Sequence, residues 1–416
     1  MIRVVIADDS AFMRKVLQDL FAAQPDFEVV GMASDGKEAV NMVIRQKPDL
    51  VTMDVNMPIM DGLKALEVIM KECPTPVIMI SSLTKKGADE TIKALSLGAV
   101  DFICKAGGSI SRIDAIADEI LEKCRGAAKA NVSIFNFKKN ITEKKQEGND
   151  LKRINIIDRS SYSSRVSSIL GKRGKEPSAD SGSAVTVSSA AYNSKLISDR
   201  IAKRSNPILE ARRSTTPAKP ASSGTGGSTK LIALGTSTGG PRALQAVIPL
   251  LPANLPCGMV VVQHMPAGFT KSLAERLDSL SKVTVKEAED NEIIKPGHVY
   301  IAPGNYHMTI KGTGSGRAIS LNQDPPLASH RPAVDVLFDS VVQYGREVVS
   351  VILTGMGCDG AAGMKKIKKA GGYIIAESGD TCVVYGMPKA VVDSGIADEV
   401  LPVQQVAGAI VEAVKK

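Results

Sequence analysis

Apolar runs of four or five residues alternate with amphipathic stretches five times over residues 1–124, and this alternation limits the possible folds more than any other feature. The runs fall at 3–7, 28–32, 50–53, 77–80 and 100–104. The amphipathic stretches fall at 11–22, 36–46, 63–71, 87–97 and 110–121. Each run is too apolar and too short to be half solvated, so the strands belong in a parallel sheet covered by helices on both faces. From Lys230 a second series begins. LIALG, MVVVQ, VTVKEA, HVYIAP, VVSVILTG and GYIIAE read as strands, and 242–250, 270–280, 332–344, 361–370 and 403–415 as helices. The expected class is α/β with two doubly wound domains: a flavodoxin-like (βα)5 unit over 1–124 and a mostly parallel α/β unit over 230–416.

Between them, residues 125–229 turn to Ser, Ala, Lys, Arg and Gly, as in SYSSRVSS and ASSGTGGST, and read as a long flexible linker. This segment carries 20 Lys and Arg against 8 Asp and Glu, a charge of +12 in a chain of net charge +8, which leaves the remainder at −4. The basicity belongs to a solvated spacer and not to a folded face, so nucleic acid is not an expected partner. A DNA-binding output domain would need a helix-turn-helix with a basic second helix, and none follows residue 124. Inside the spacer, 194–212 has the pattern of one short helix. A flexible chain of this length has a reach of roughly 50–60 Å. No apolar run approaches the ~18 residues of a membrane span, and MIRVVIADDS lacks a signal-peptide pattern, so a cytoplasmic protein not embedded in a membrane is expected. Six scattered cysteines without a CxxC pair read as free thiols.

In the first domain Asp8 and Asp9 end the first strand, Asp54 the third, Ser81 the fourth, and Lys105 the fifth. A parallel sheet brings these ends to one edge, where ligands bind. Three clustered carboxylates call for a hard cation, most simply Mg²⁺. An ammonium and a hydroxyl beside them suit a phosphoryl group. Taken singly, Asp9 reads as a cap for the helix near Ala11, and Asp54 as the opening of a turn through Pro58 and Gly62.

The stretches IADDS, TMDVNMPIMDG, MISS and FICK resemble the receiver domain of two-component response regulators across essentially all of 1–124. The resemblance implies that Asp54 accepts a phosphoryl group from a histidine kinase. It implies that Asp8, Asp9, Asp54 and the backbone carbonyl of Asn56 hold Mg²⁺, that Lys105 binds phosphate, and that Ser81 and Phe102 form a switch. One departure is Ala106, where the family commonly has proline.

In the second domain LIALGTSTGGPRAL reads strand, glycine turn, helix, with Ser237 in the turn and the helix N-terminus able to hold an oxyanion. A serine hydroxyl needs a base, and the base an orienting acid. His264 ends the apolar strand MVVVQ and Asp359 follows VVSVILTG in a glycine-rich turn, so both reach the same edge. His298, His307 and His330 are assigned structural or substrate-contact roles. The glycine turn lacks the Lys-Ser/Thr of a phosphate-binding loop and the spaced acid of a dinucleotide site. The order serine, histidine, acid differs from that of the α/β-hydrolases. A serine in a glycine turn is often structural; the paired base and acid favour catalysis.

GTSTGG, VVQHMPAGFT, VYIAPGNYHM, HRPAVDVLF and LTGMGCDGAAGM resemble the catalytic domain of chemotaxis protein-glutamate methylesterases and glutamine deamidases over 230–416. The resemblance implies Ser237 as nucleophile, His264 as general base and acid, Asp359 as orienting carboxylate, and Thr238 with the backbone of Met356 near the oxyanion. It implies methyl-accepting chemoreceptors as substrates, no metal in the hydrolytic step, and a receiver that covers the esterase cleft until phosphorylated. The family is expected to use a shorter linker than this one. An inactive binding module remains the alternative to an enzyme.

Overall fold

The computed structural model describes residues 1–82, 84–105, 116–132 and 229–416. Ala106, the helix expected over 194–212 and nearly all of the expected linker lie outside them. The first domain runs β1 (Ile2–Ala7), α1 (Ala11–Ala22), β2 (Phe27–Ala33), α2 (Gly36–Gln46), β3 (Leu50–Asp54), α3 (Gly62–Glu72), β4 (Val77–Ser82), α4 (Lys85–Leu97), β5 (Asp101–Lys105) and α5 (Ala117–Ala127). The strands form one parallel sheet in the order β2-β1-β3-β4-β5. Its two faces bury different residues of the same strands. Val4, Ile6, Ile78 and Ile80 pack with Leu17, Phe21, Ile120 and Leu121 of α1 and α5. Val5, Val51, Met53, Val77 and Met79 pack with Val43, Leu66, Ile69 and Ile92 of α2, α3 and α4.

The helix starts correct one of the single-residue expectations, that of Asp9 as a cap. Ser10, not Asp9, caps α1 by accepting the Met13 N–H at 3.3 Å, and Asp61 caps α3 by accepting the Lys64 N–H at 2.8 Å. The cap of α1 therefore does not need Asp9, while Asp54 ends β3 where the turn toward Gly62 begins, closed by the Gly62 N–H to the Val55 carbonyl at 2.9 Å. The last helix also runs three residues past the expected boundary, to Ala127.

The second domain runs β6 (Leu231–Thr236), α6 (Gly240–Val247), β7 (Gly258–Gln263), α7 (Phe269–Leu280), β8 (Thr284–Glu287), β9 (His298–Ile301), β10 (His307–Lys311), β11 (Ala318–Asn322), α8 (Val334–Val341), β12 (Val348–Ile352), α9 (Ala361–Lys369), β13 (Tyr373–Glu377), α10 (Met387–Asp393), β14 (Glu399–Leu401) and α11 (Val403–Ala413). Seven strands make a wholly parallel sheet in the order β14-β13-β12-β6-β7-β9-β8. β10 and β11 form a separate antiparallel hairpin that the strand pattern does not predict. β6, β7 and β12 are buried along their whole length, as strands covered on both faces must be. The chain leaves β6 toward β7 on one side and returns as β12 on the other, so β6 lies at the reversal of strand order, where crevices open at strand C-termini.

Candidate active site

At the C-terminal edge of the first sheet Asp8 and Asp54 are buried, Asp9 is exposed, and one carboxylate oxygen of each lies within 4.8 Å of the others. Lys105 Nζ stands 2.7 Å from Asp54 Oδ2 and 3.1 Å from Asp8 Oδ2. Burial opposes its charge, but the two aspartates outweigh that and hold its pKa above the usual lysine range. Burial raises the pKa of the Asp8 carboxyl against the pull of Lys105. Asp8 Oδ2 is buried and accepts no hydrogen bond of good geometry, despite the nearby ammonium. A buried carboxylate oxygen with unused acceptor capacity, beside two more carboxylates, fits Mg²⁺. Asn56 follows in the exposed turn. Ser81 is buried and donates to the Gly87 carbonyl at 3.1 Å.

At the edge of the second sheet the adjacent strands β12, β6 and β7 deliver Asp359, Ser237 and His264. His264 Nδ1 lies 3.2 Å from Ser237 Oγ, and His264 Nε2 lies 2.7 Å from Asp359 Oδ2. Burial would raise the Asp359 carboxyl. The His264 hydrogen bond and the N–H groups of Asp335 and Val334 overcome it and hold the pKa below the usual aspartate range. An ionised Asp359 can only accept, so it fixes the proton of the neutral imidazole on Nε2 and leaves the Nδ1 lone pair facing the serine hydroxyl.

The turn is held in several places. Gly239, at φ +80°, makes the left-handed step into α6, and an added Cβ would meet Val383 at 2.5 Å. The Gln263 amide donates to the carbonyls of both Ser237 and His264 at 3.0 Å, tying the Ser237 turn to the strand end that carries His264. Its position before His264 is the one sequence signal that could have singled it out.

The other histidines divide. His298 bonds the Pro296 carbonyl at 2.9 Å at the far end of β9. His307 is buried, facing the Pro325 carbonyl and the Ala333 N–H. His330 stacks on the His264 ring, with centroids 4.0 Å apart, and burial depresses its pKa to about 4. It is therefore neutral above that pH and adds no charge beside His264.

The first domain meets the second at this edge, within one compact unit. Phe102, buried on β5, stacks on Phe269 of α7 with centroids 4.6 Å apart. Its neighbour Asp101 accepts the hydroxyl proton of Thr238 at 2.5 Å. Gln245 of α6 donates to Ser96 of α4 at 2.8 Å, and Asn131 N–H to the Val383 carbonyl at 3.0 Å. Gly126 of α5 presses on Met356, whose sulfur would be 2.3 Å from a Cβ at that position. Thr238 and Met356, the two residues expected beside the oxyanion, are thus both engaged by the first domain. Asp101 is a residue the sequence did not single out.

Comparison with known proteins matches residues 232–410 to the CheB methylesterase family and 4–117 to the response regulator receiver domain. A protein of Thermotoga maritima named protein-glutamate methylesterase/protein-glutamine glutaminase is 43% identical over 99% of this chain and 98% of its own. One of the same name from Symbiobacterium thermophilum is 43% identical over 99% and 97%. Both alignments run over nearly the whole of this chain and of each relative's own. The crystal structure of the T. maritima CheB methylesterase catalytic domain matches at 50% identity and TM-score 0.44, covering 45% of this chain and 99% of that one.

Proposed function

Since the chain belongs to the protein-glutamate methylesterase/protein-glutamine glutaminase family, with a receiver domain ahead of its methylesterase domain, we propose that it demethylates glutamate γ-methyl esters and deamidates glutamines on chemoreceptors. In this reading Ser237, His264 and Asp359 carry the chemistry, and phosphorylation of Asp54 by a histidine kinase releases it. The observation that carries the proposal is the single hydrogen-bonded line Ser237–His264–Asp359 at a sheet edge.

His264 Nδ1 takes the Ser237 proton as Oγ attacks the ester carbonyl, and Asp359 stabilises the imidazolium that forms. The imidazolium then protonates the leaving methoxide, methanol departs, and water attacks the acyl-enzyme by the same route. A glutamine side chain follows the same path with ammonia leaving. Thr238 and the backbone of Met356 lie beside the oxyanion. The expected activity is methanol release from methylated receptor membranes in the presence of a phosphodonor; a chain that releases none when phosphorylated would refute the reading.

In the receiver, Asp8, Asp9, Asp54 and the Asn56 carbonyl would hold Mg²⁺, which neutralises charge around a phosphoryl group. Lys105 pairs with that group once it is on Asp54, and Ser81 leaves Gly87 to reach it. Lys105, Phe102 and Asp101 lie on one strand, so the change at the phosphorylation edge is felt at Phe269 and Thr238. Asp54→Asn is therefore expected to remove the stimulation altogether, its rate with phosphodonor matching its rate without. A stimulated Asp54→Asn would place the acceptor elsewhere.

Asp101 gives the inhibited state a chemical basis beyond coverage. A carboxylate hydrogen-bonded to Thr238 puts negative charge where the tetrahedral intermediate must build its own, which opposes that intermediate electrostatically. Asp101→Ala is expected to raise unstimulated methanol release about 10-fold, the scale of one charged hydrogen bond. An unchanged basal rate would show that steric cover alone inhibits.

A further inference from the structure

The turn that carries Ser237 rests on one residue of the neighbouring strand end. Thr354, just beyond β12, touches three consecutive residues of that turn. Its carbonyl accepts the Thr236 hydroxyl at 2.8 Å and the Ser237 N–H at 3.1 Å, and its hydroxyl lies 3.0 Å from the Thr238 carbonyl it can donate to. The hydroxyl oxygen also accepts the Val384 N–H at 3.0 Å. The remaining polar group of Thr354, its N–H, is taken by Glu377 at 2.8 Å.

Glu377 is unusual among the described residues. It ends β13 with no solvent exposure, and no Lys, Arg or His pairs with it among the described residues. It accepts the Thr354 N–H and the Thr381 hydroxyl at 2.9 Å, with the Cys382 thiol a weaker third donor, and Thr381 Oγ1 in turn receives the Val403 N–H at 2.9 Å. Burial raises its pKa to about 7. A carboxyl group kept in a core without a counter-cation is costly, and neither the triad nor the receiver edge uses it. What it does hold is the last free polar group of the residue that sets the Ser237 backbone.

We propose that Glu377 is a positioning residue for the nucleophile, acting through Thr354. With N–H, hydroxyl and carbonyl all committed, Thr354 cannot rotate, and the backbone of residues 236–238 is fixed against it. The Ser237–His264 contact, at 3.2 Å, is at the long end for a hydroxyl hydrogen bond. A small drift of the turn therefore breaks it, and misplacements of about 1 Å cost on the order of 10²-fold in rate. The inference rests on the reading of Ser237 as nucleophile.

The test uses the full chain with Mg²⁺ and acetyl phosphate, measuring the rate of Ser237 modification by a fluorophosphonate alongside kcat and KM for methanol release. Glu377→Ala is expected to slow modification and lower kcat by about 30-fold, with KM within about twofold. Glu377→Gln, whose side-chain carbonyl can still accept the Thr354 N–H, is expected to recover to within about threefold of the parent. Thr354→Val, which loses only the hydroxyl, is expected to fall about 10-fold in both rates. Should Glu377→Ala fail to fold, the two near-isosteric variants decide: modification of Thr354→Val at the parent rate, or a Glu377→Gln loss as large as 30-fold, would overturn the proposal. So would a folded Glu377→Ala that changes KM alone. A parent chain that never reacts at Ser237 would instead remove the nucleophile assignment, and this inference with it.

Discussion

Ser237→Ala is expected to lower methanol release from methylated receptors by at least about 10⁴-fold, the largest effect of any single change in this chain. The substitution deletes one atom, the Oγ that lies 3.2 Å from His264 Nδ1. It leaves the supports of the turn intact, because the bonds from Ser237 N–H to the Thr354 carbonyl and from Gly240 N–H to the Ser237 carbonyl belong to the backbone. Stability should therefore change by less than about 1 kcal/mol, and KM little. The remaining path is attack by water, with His264 as base. An oxyanion site and bound substrate still accelerate it, but without a covalent intermediate. Methanol assays on phosphodonor-treated parent and variant make the measurement, and equal release from the two would leave the triad without a function.

The alternation of apolar runs was sufficient to place both parallel sheets because β3, β6, β7 and β12 are buried on both faces, so they read as short, mostly apolar runs without the repeating polar face of an amphipathic helix. β14, three residues long, and the β10–β11 hairpin left no such mark. β14 is only partly covered, and the hairpin stands apart from the main sheet, paired with itself. That Ser237, His264 and Asp359 stand at one sheet edge was legible because each follows an apolar strand. That β12, β6 and β7 are neighbours was not, since β12 enters the sheet 112 residues after β6 ends. Asp101 and Glu377 were missed for a related reason. Each reads as an ordinary polar residue at a strand end, and only contact across 137 residues in one case, and 23 in the other, gives it a role. Ser81 lies in the last two residues of β4, and that its hydroxyl donates to the Gly87 carbonyl is a contact the strand pattern does not show.

Asp359→Asn is the second change of large expected effect, and its size follows from counting donors. Asp359 Oδ2 accepts from both His264 Nε2 and the Val334 N–H at 2.7 Å, while Oδ1 accepts the Asp335 N–H at 2.8 Å. Three donors converge on two oxygens, and an amide has only one oxygen to offer. With its NH₂ at the Oδ2 position, asparagine opposes the Val334 N–H. It also drives the imidazole proton from Nε2 to Nδ1, so a hydrogen faces Ser237 where a lone pair is needed. With its NH₂ at Oδ1, it opposes the Asp335 N–H and keeps the tautomer, yet the charge that stabilises the imidazolium is gone. Both arrangements also loosen the start of α8, at a cost of about 1–3 kcal/mol in stability from the unsatisfied donor. Methanol release is expected to fall by about 10³- to 10⁴-fold with little change in KM, and fluorophosphonate modification of Ser237 should slow in parallel, since both steps draw on the same base. A loss below about 10-fold would mean that His264 keeps its tautomer and its charge without Asp359, and the carboxylate would then be only an anchor for the helix.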